Sequence, residues 1–294
     1  MRSNGILITD KVFAGCEMDK IQKHADMADE KITLAGTTSK AIADGEPNVS
    51  PDGHERMREI LDAFLGDGTS IEPEQLFQFA ARYEKLMLRY RCAVREITTK
   101  LEVLNDELSS FGGHSPIETI RSRIKRPYSI ARKLRRMGLP AGIEEISGRL
   151  NDVAGVRVIC PFISDIYRIS EMLLKQDDIT LVSRKDYISE PKPNGYRSLH
   201  LIVEVPVFFS CEKLNVRVEI QIRTVAMDFW ASLEHELRYK NDSEQAQQIS
   251  QELKMCADVI AQTDAAMQRL RDRVNAPCDA AGTQREMDES MSIN

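Results

Sequence analysis

Apolar and polar residues alternate strictly in the stretch NVRVEIQIRT, positions 215–224. A period of two predicts a β-strand with one buried face and one polar face. On the polar face, Glu219 stands between Arg217 and Arg223. A carboxylate between arginines suits a metal-bound polyphosphate, although a solvated face with surface ion pairs gives the same pattern. Thr224 is expected to cap the next helix, whose predicted core residues are Phe229, Leu233 and Leu237.

Two other segments repeat apolar residues at alternating spacings of four and three, which predicts two long helices. The first seam consists of Phe79, Tyr83, Met87, Tyr90, Val94, Ile97, Leu101 and Leu104, with Pro73 near the helix start. The second seam consists of Ile249, Leu253, Cys256, Ile260, Thr263, Met267, Leu270 and Val274. Each seam needs a partner surface, in the domain or in another subunit, and we expect both to contact other subunits.

The segment from Ser115 to Gly138 is strongly basic. Ser115, Pro116 and Glu118 are three agreeing signals of a helix start. The basic residues that follow are Arg121, Arg123, Lys125, Arg126, Arg132, Lys133, Arg135 and Arg136. We therefore predict a basic helix, bent or divided at Pro127, that binds polyphosphate or nucleic acid unless its charge is only solvated.

The middle of the chain mixes strands and helices. NDVAGVRVICPF, at 151–162, predicts a buried strand entered from a loop that carries Asp152. The other predicted segments are a helix at 164–176, strands at 179–186 and 196–205, and a loop at 191–195. We predict an α/β or α+β class with a central mixed β-sheet. The chain is divided into a flexible extension (1–70), a folded domain (71–242), an oligomerisation helix (243–275) and a disordered tail (276–294).

Composition narrows the class of protein. The 294 residues are 42% hydrophobic and 29% charged, which is typical of a globular protein. The net charge of −6 argues against unspecific coating of nucleic acid by the whole molecule. Six scattered cysteines without a CxxC pair favour reduced thiols. No run reaches the roughly 18 apolar residues of a membrane span, so we expect a cytoplasmic protein with no membrane partner.

Several of these residues together indicate chemistry on nucleotides. Asp152 and Glu219, on neighbouring strands, can hold Mg²⁺, which prefers oxygen ligands and binds substrate phosphates. Lys185 and Lys192 can neutralise phosphates, and Tyr196 can stack on a base. The combination predicts phosphoryl-type transfer.

Four stretches resemble the RelA/SpoT-type (p)ppGpp synthetase domain. They are SPIETIRSRIKRPYSIARKL (115–134), DVAGVRVIC (152–160), KDYISEPKPNGYRSLHLIV (185–203) and VEIQIRTVAMDFWASLEHELRYK (218–240). The resemblance is to a small alarmone synthetase of the RelQ type and implies a nucleotidyltransferase-like synthetase fold. The implied reaction transfers the β,γ-pyrophosphate of ATP to the ribose 3′-hydroxyl of GTP or GDP and leaves AMP.

The resemblance also implies roles for individual residues. Asp152 and Glu219 are expected to be catalytic and to bind Mg²⁺, with Glu219 orienting or deprotonating the 3′-hydroxyl. The ATP-binding residues are expected to be Arg123 and Arg157, which sandwich adenine, and Lys125 and Lys133, which bind phosphates. The GTP-binding residues are expected to be Tyr196, which stacks on guanine, and Lys185, Lys192, Arg197, Ser198, His200, Gln221 and Glu234.

Partners and alternatives complete these expectations. The resemblance implies a homotetramer, with a regulatory alarmone or single-stranded RNA as possible further partners. The hydrolase domain of bifunctional family members carries an adjacent His-Asp metal motif. None of the five histidines in this sequence is followed by Asp, so we expect synthesis only. Two alternatives stay open: a catalytically silent nucleotide or RNA-binding regulator of the same fold, and a nucleotidyltransferase that releases pyrophosphate instead of AMP.

Overall fold

The computed structural model describes residues 59–60, 63–64, 73–112, 114–239 and 246–276. The chain divides into two compact units, Met1–His54 and Glu55–Asn294, and every described residue belongs to the second unit. Most of the predicted extension at 1–70, and the tail from residue 277 onward, lie outside the described residues.

Five strands of the described residues form one sheet in the order β1-β2-β5-β4-β3. They are β1 (Thr119–Ile124), β2 (Ala154–Cys160), β3 (Thr180–Asp186), β4 (Leu199–Phe208) and β5 (Lys213–Thr224). Strands β2 and β5 run parallel, whereas the other neighbours are antiparallel. The predicted mixed sheet is therefore confirmed.

Helices flank this sheet. They are α1 (Pro73–Gly112), α2 (Pro127–Arg136), α3 (Ile143–Arg149), α4 (Ile163–Leu174), α5 (Val225–Tyr239) and α6 (Ala246–Asn275). Helices α1 and α4 pack together on the apolar face of the sheet, while α5 continues directly from β5 and packs against α6. Within the described ranges, no helix combines the length and the apolar character that a membrane crossing requires.

Helix α1 belongs to the core of its own chain. Its seam is predicted correctly, but Tyr83, Ile97 and Leu101 are at most 2% exposed because the sheet and α4 cover them. The prediction that this seam contacts other subunits is therefore wrong. The core also begins before residue 70, since the Phe64 ring lies 5.4 Å from the rings of both Phe79 and Tyr83. Among the described residues before position 70, Ile60, Ala63 and Phe64 are buried, so part of the core lies within the segment that the sequence predicts to be mostly flexible.

The predicted helix start at Ser115 is also wrong. Residues 119–124 form the edge strand β1, in which Ile120 pairs with Val158 of β2. Ser115 Oγ donates to the Ile117 carbonyl instead of capping a helix, and Pro127 occupies the first turn of α2. The basic residues are thus divided between a strand and a short helix, because pairing with the buried strand β2 overrides the local cap signals.

Thr224 caps α5 as predicted, since its Oγ1 accepts a hydrogen bond from the Met227 backbone N–H at 3.1 Å. The core residues of α5 are Met227 and Trp230, each 4% exposed. The predicted ones lie outside: Phe229, Leu233 and Leu237 are 60%, 41% and 44% exposed. The spacing predicts the helix correctly, but it assigns the wrong face of this helix to the core.

Candidate active site

The open face of the sheet, opposite α1, carries polar side chains from adjacent strands. Interstrand register sets Arg123 of β1 beside Gly155 of β2, and Gly155 beside Glu219 of β5. His200 of β4 pairs with Gln221 of β5. A Cβ atom on Gly155 would meet the Arg123 side chain at 3.8 Å, so this arginine lies over bare glycine backbone. Polar groups from both halves of the sheet therefore surround Glu219.

Asp152, just before β2, is held by two lysines. Lys125 Nζ lies 2.5 Å from Oδ2, and Lys133 Nζ lies 2.7 Å from Oδ1. Burial raises the pKa of Asp152, but the two lysines outweigh burial and hold it below the ordinary value of 3.8. Oδ1 is buried and accepts no regular hydrogen bond, because the contact with Lys133 is an ion pair without hydrogen-bond geometry. Two ammonium groups thus neutralise the carboxylate.

Glu219 is oriented by two neighbours on the polar face. Gln221 Nε2 donates to Oε2 at 3.0 Å, and His200 Nδ1 lies 3.3 Å from Oε1. Burial raises the pKa of Glu219, but the contacts with His200 and Gln221 prevail and bring it below the ordinary value of 4.5. The charge of Asp152 acts in the opposite sense, which places the two carboxylates within electrostatic range. Glu219 is therefore ionised at neutral pH.

Tyr196 and Arg223 close a ring of hydrogen bonds around Glu219. Arg223 Nη2 donates to Tyr196 Oη at 2.6 Å and to Gln221 Oε1 at 2.7 Å, and Tyr196 Oη lies 2.8 Å from His200 Nε2. Burial raises the pKa of Tyr196 above 10.0 in spite of Arg223, so the phenol keeps its proton. His200 thus contacts Tyr196 through Nε2 and Glu219 through Nδ1. Arg223 and Tyr196 are therefore connected to Glu219 through Gln221 and His200.

A pocket of about 520 Å³ opens beside this ring. Its lining residues are Lys192, Pro193, Asn194, Tyr196, His200, Gln221 and Glu234. Lys192 Nζ lies over two aromatic rings, 4.5 Å from the centre of Tyr187 and 4.6 Å from the centre of Tyr196. Burial lowers the pKa of Lys192 although the charge of Glu219 opposes this. The ammonium group thus covers a face of Tyr196 on which a base can stack.

Asp228, in the first turn of α5, was not predicted as a site residue. Its Oδ1 lies 3.3 Å from Arg157 Nη1 and 3.2 Å from Arg223 Nη1. Its Oδ2 lies 3.9 Å from Arg121 Nη1. The sequence shows that Asp228 follows the polar strand directly, which could have marked it as a site residue. Its partners Arg121 and Arg157 are distant in sequence, so the contacts themselves do not follow from spacing. Asp228 is therefore a shared anionic partner of Arg121, Arg157 and Arg223.

Most of the other predicted residues lie on the same face. Burial and the charges of Arg223 and Arg123 lower the pKa of Arg157. Arg123 of β1 pairs with Gly155, two residues before Arg157 on β2. Lys185 of β3 pairs with His200 of β4. Glu234 of α5 accepts a hydrogen bond from Asn194 Nδ2 at 3.2 Å.

Ser198 and Arg197 form hydrogen bonds within the sheet and with α6. Ser198 is fully buried and donates to the Ile222 carbonyl at 3.2 Å, within the sheet. The guanidinium group of Arg197 contacts α6, with Nη1 donating to the Ala257 carbonyl at 3.2 Å. Neither side chain is among those that line the pocket.

The two carboxylates are the oxygen ligands on this face that fit a divalent cation. Among the residues that the structure describes, no group of three or more His, Cys, Asp or Glu side chains is placed to hold a metal ion. Mg²⁺ is commonly bound by one or two carboxylates plus substrate phosphates, so a third protein ligand is not required. The Asp152 carboxylate, which is paired with two mobile ammonium side chains, and its charge interaction with Glu219 fit a site that is completed by a nucleotide.

Comparison with known proteins agrees with this geometry. The family model described as "Region found in RelA / SpoT proteins" matches residues 122–244. The chain is 44% identical over 189 residues to GTP pyrophosphokinase YwaC of Bacillus subtilis, which covers 64% of this chain and 90% of the relative.

Solved structures of the same kind superpose on the chain. Small alarmone synthetase 1 from Bacillus subtilis bound to its product pppGpp has a TM-score of 0.61 and 38% identity, covering 66% of this chain and 98% of that one. The same synthetase bound to AMPCPP has a TM-score of 0.57 and 33% identity, covering 67% and 100%. The chain therefore belongs to the RelA/SpoT family of GTP pyrophosphokinases, as a small alarmone synthetase.

Proposed function

We propose that the chain transfers the β,γ-pyrophosphate of ATP to the 3′-hydroxyl of GTP or GDP, and that Asp152 and Glu219 are the catalytic residues. The observation that carries the proposal is the position of this carboxylate pair. The arginines of β1 and β2 lie on one side of it, and the pocket with Tyr196 lies on the other. Such an arrangement lets two nucleotides meet over two carboxylates.

ATP is assigned to the β1–β2 side. Arg123 and Arg157 lie on the adjacent strands β1 and β2, where their guanidinium groups can stack on adenine, and Asp228 pairs with Arg157. Lys125 and Lys133 contact Asp152, and we assign them to the ATP phosphates, which would replace Asp152 as their anionic partner. A relative binds the ATP analogue AMPCPP, which supports the assignment.

The acceptor nucleotide is assigned to the pocket beside Tyr196. Guanine stacking on Tyr196 displaces the Lys192 ammonium group from the ring, after which Lys192 and Lys185 can bind acceptor phosphates. Gln221, His200 and Glu234 line the remaining wall. The product pppGpp is bound by a relative with the same fold.

Mg²⁺ is assigned to Asp152 and Glu219. A bound Mg²⁺ supplies charge neutralisation for the pyrophosphoryl group and fixes its geometry. Lys125 and Lys133 neutralise Asp152 and keep this carboxylate in place.

The reaction itself is a displacement at phosphorus. The 3′-oxygen of the acceptor forms a bond to the β-phosphorus of ATP, while the bond between that phosphorus and the α–β bridging oxygen breaks and AMP leaves with the bridging oxygen. The proton of the 3′-hydroxyl is accepted at Glu219. Because its pKa is below 4.5, Glu219 is a weak base and acts mainly by orienting the hydroxyl, with the proton moving late.

Assembly is assigned to α6 and α5, in a homotetramer. The outer face of α6 exposes Met255, Val259 and Met267, which are 61%, 61% and 51% exposed. The outer face of α5 exposes Phe229 to 60%. These neighbouring apolar surfaces suit contacts with further copies. Val259→Asp is expected to lower the mass measured by light scattering, and an unchanged mass would refute this interface.

We place this synthesis in the cytoplasm, without alarmone hydrolysis by this segment. A regulatory alarmone or single-stranded RNA remains a further candidate ligand of the assembly. Gel-filtration with labelled RNA or pppGpp tests each ligand, and co-elution at micromolar protein is the expected result.

Anion-exchange analysis of the products tests the reaction. The protein is incubated with Mg²⁺, ATP and GTP or GDP, and we expect AMP and a guanosine penta- or tetraphosphate in equal amounts. Release of pyrophosphate would instead identify a nucleotidyltransferase. Nucleotide binding without AMP release would identify a silent regulator.

A further inference from the structure

Gly195 of the acceptor loop (residues 191–197) lies directly on α6. Its φ is +89°, and a Cβ atom there would lie 2.5 Å from Ala257 Cβ and 3.6 Å from Lys254 Cα. The positive φ and the close approach both require glycine. The loop that carries Lys192 and Tyr196 therefore rests on the surface of a helix 60 residues later in the chain.

Arg197 joins the loop and the helix. Its Nη1 donates to the Gly195 carbonyl at 3.3 Å and to the Ala257 carbonyl at 3.2 Å, and Nη2 donates to Asp258 Oδ1 at 3.5 Å. The side chain is 18% exposed. A planar guanidinium group can bridge two carbonyls in this way, whereas a single ammonium group holds them less rigidly.

Helix α6 is itself anchored to the rest of the fold. The anchors are a hydrogen bond from Trp230 to the Leu253 carbonyl at 2.8 Å, one from Thr224 to Asp264 at 2.6 Å, and an ion pair of Arg271 with Asp165 at 2.7 Å. Thr224 directly follows Arg223, which donates to Tyr196. The helix is therefore a fixed reference against which the loop can be positioned.

We propose that Arg197 is a positioning residue for the acceptor nucleotide, which ties the acceptor loop to α6 and does not contact the nucleotide itself. This inference rests on the proposed function. The loop carries Lys192 and Tyr196 of the acceptor pocket but none of the arginines assigned to ATP. Loosening the tie is therefore expected to change the KM for the acceptor and to leave the KM for ATP unchanged.

The test compares variants on both sides of the contact. Arg197→Ala removes the tie, Arg197→Lys keeps a charged donor, and Ala257→Val moves α6 away from Gly195 without touching a nucleotide. Arg269→Ala, at an exposed position of α6, is the matched control. Steady-state AMP formation gives kcat and KM for each substrate, calorimetry gives acceptor affinity without turnover, and thermal unfolding monitors the fold.

We expect Arg197→Ala and Ala257→Val to raise the acceptor KM about tenfold while the KM for ATP stays within about twofold of wild type. Arg197→Lys is expected to recover part of the loss. An increase with Arg197→Ala alone would indicate direct nucleotide contact and overturn the proposal. Equal increases for both substrates would indicate general structural damage and would also overturn it.

The experiment distinguishes failure of the proposed function from failure of the positioning role of Arg197. If the wild-type protein releases no AMP, the pyrophosphokinase assignment fails, and calorimetry with GTP still tests the tie. Weaker GTP binding in both Arg197→Ala and Ala257→Val then supports the positioning role, and unchanged binding overturns it.

Discussion

Glu219 Oε1 and His200 Nδ1 lie 3.3 Å apart, on the adjacent strands β5 and β4. His200 reaches Tyr196 through its other ring nitrogen. The residue assigned to orient the 3′-hydroxyl is therefore connected through one imidazole to the ring assigned to stack on guanine. Base binding and orientation of the carboxylate are consequently parts of one hydrogen-bonded unit.

His200→Ala is expected to lower kcat about 100-fold, because Glu219 loses one of the two groups that orient it. His200→Asn, which can still place an amide N–H near the position of Nδ1, is expected to lose less. The measurement is AMP formation at saturating ATP and acceptor. Equal activities of His200→Ala and wild type would contradict the role of this ring.

Asp228→Asn is expected to weaken both ATP binding and the fold. Arg157 and Arg223 then lose a shared negative partner, and the free energy of unfolding should fall by about 1–3 kcal/mol. The KM for ATP should rise about tenfold, since Arg157 is no longer held. Urea denaturation and initial rates measure the two effects. Asp177→Asn, at an exposed turn, is the control and should change neither.

Binding of the metal and ATP is expected to be cooperative. Mg²⁺ alone must displace Lys125 and Lys133 from Asp152, whereas ATP phosphates offer these lysines new partners. Calorimetry should therefore show much tighter Mg²⁺ binding with AMPCPP present than without it. Equal Mg²⁺ affinities in the two titrations would contradict the exchange of partners.

The stability contributed by Asp152 should vanish in acid. Its folded-state pKa is below the ordinary value of 3.8, so this contribution is fully present above that value and is lost as the pH falls through the folded-state pKa. The difference in unfolding free energy between wild type and Asp152→Asn should be constant near neutral pH and shrink in acid. Urea denaturation at several pH values measures it, and a difference that grows in acid would contradict the lysine contacts.

The elements that sequence predicts well are those with a local signal. In β5, Val218 and Ile220 face the core and Glu219 faces outward, as the alternation indicates. Between residues 115 and 138, local cap signals predict a helix, but the strand pairing of Ile120 with Val158 prevails. A cap is a property of four residues, whereas strand pairing depends on a segment more than thirty positions away.

The residues of the candidate site also fall into two groups, those with a local sequence signal and those whose contacts depend on distant segments. Asp152, Glu219 and Tyr196 lie in motifs that resemble a known family, so the sequence alone identifies them as candidates. Asp228 and the contact of Arg197 with α6 depend on how distant segments meet, and neither follows from spacing.

The most direct test of the central claim is AMP formation by Glu219→Gln, with nucleotide binding measured in parallel. The amide keeps the size of the side chain but removes the charge that orients the 3′-hydroxyl and contributes to the metal site. We predict that Glu219→Gln binds AMPCPP and GTP separately with little change, while kcat falls at least about 100-fold. Near-normal kcat in this variant would show that the carboxylate is not essential and would contradict the proposed mechanism.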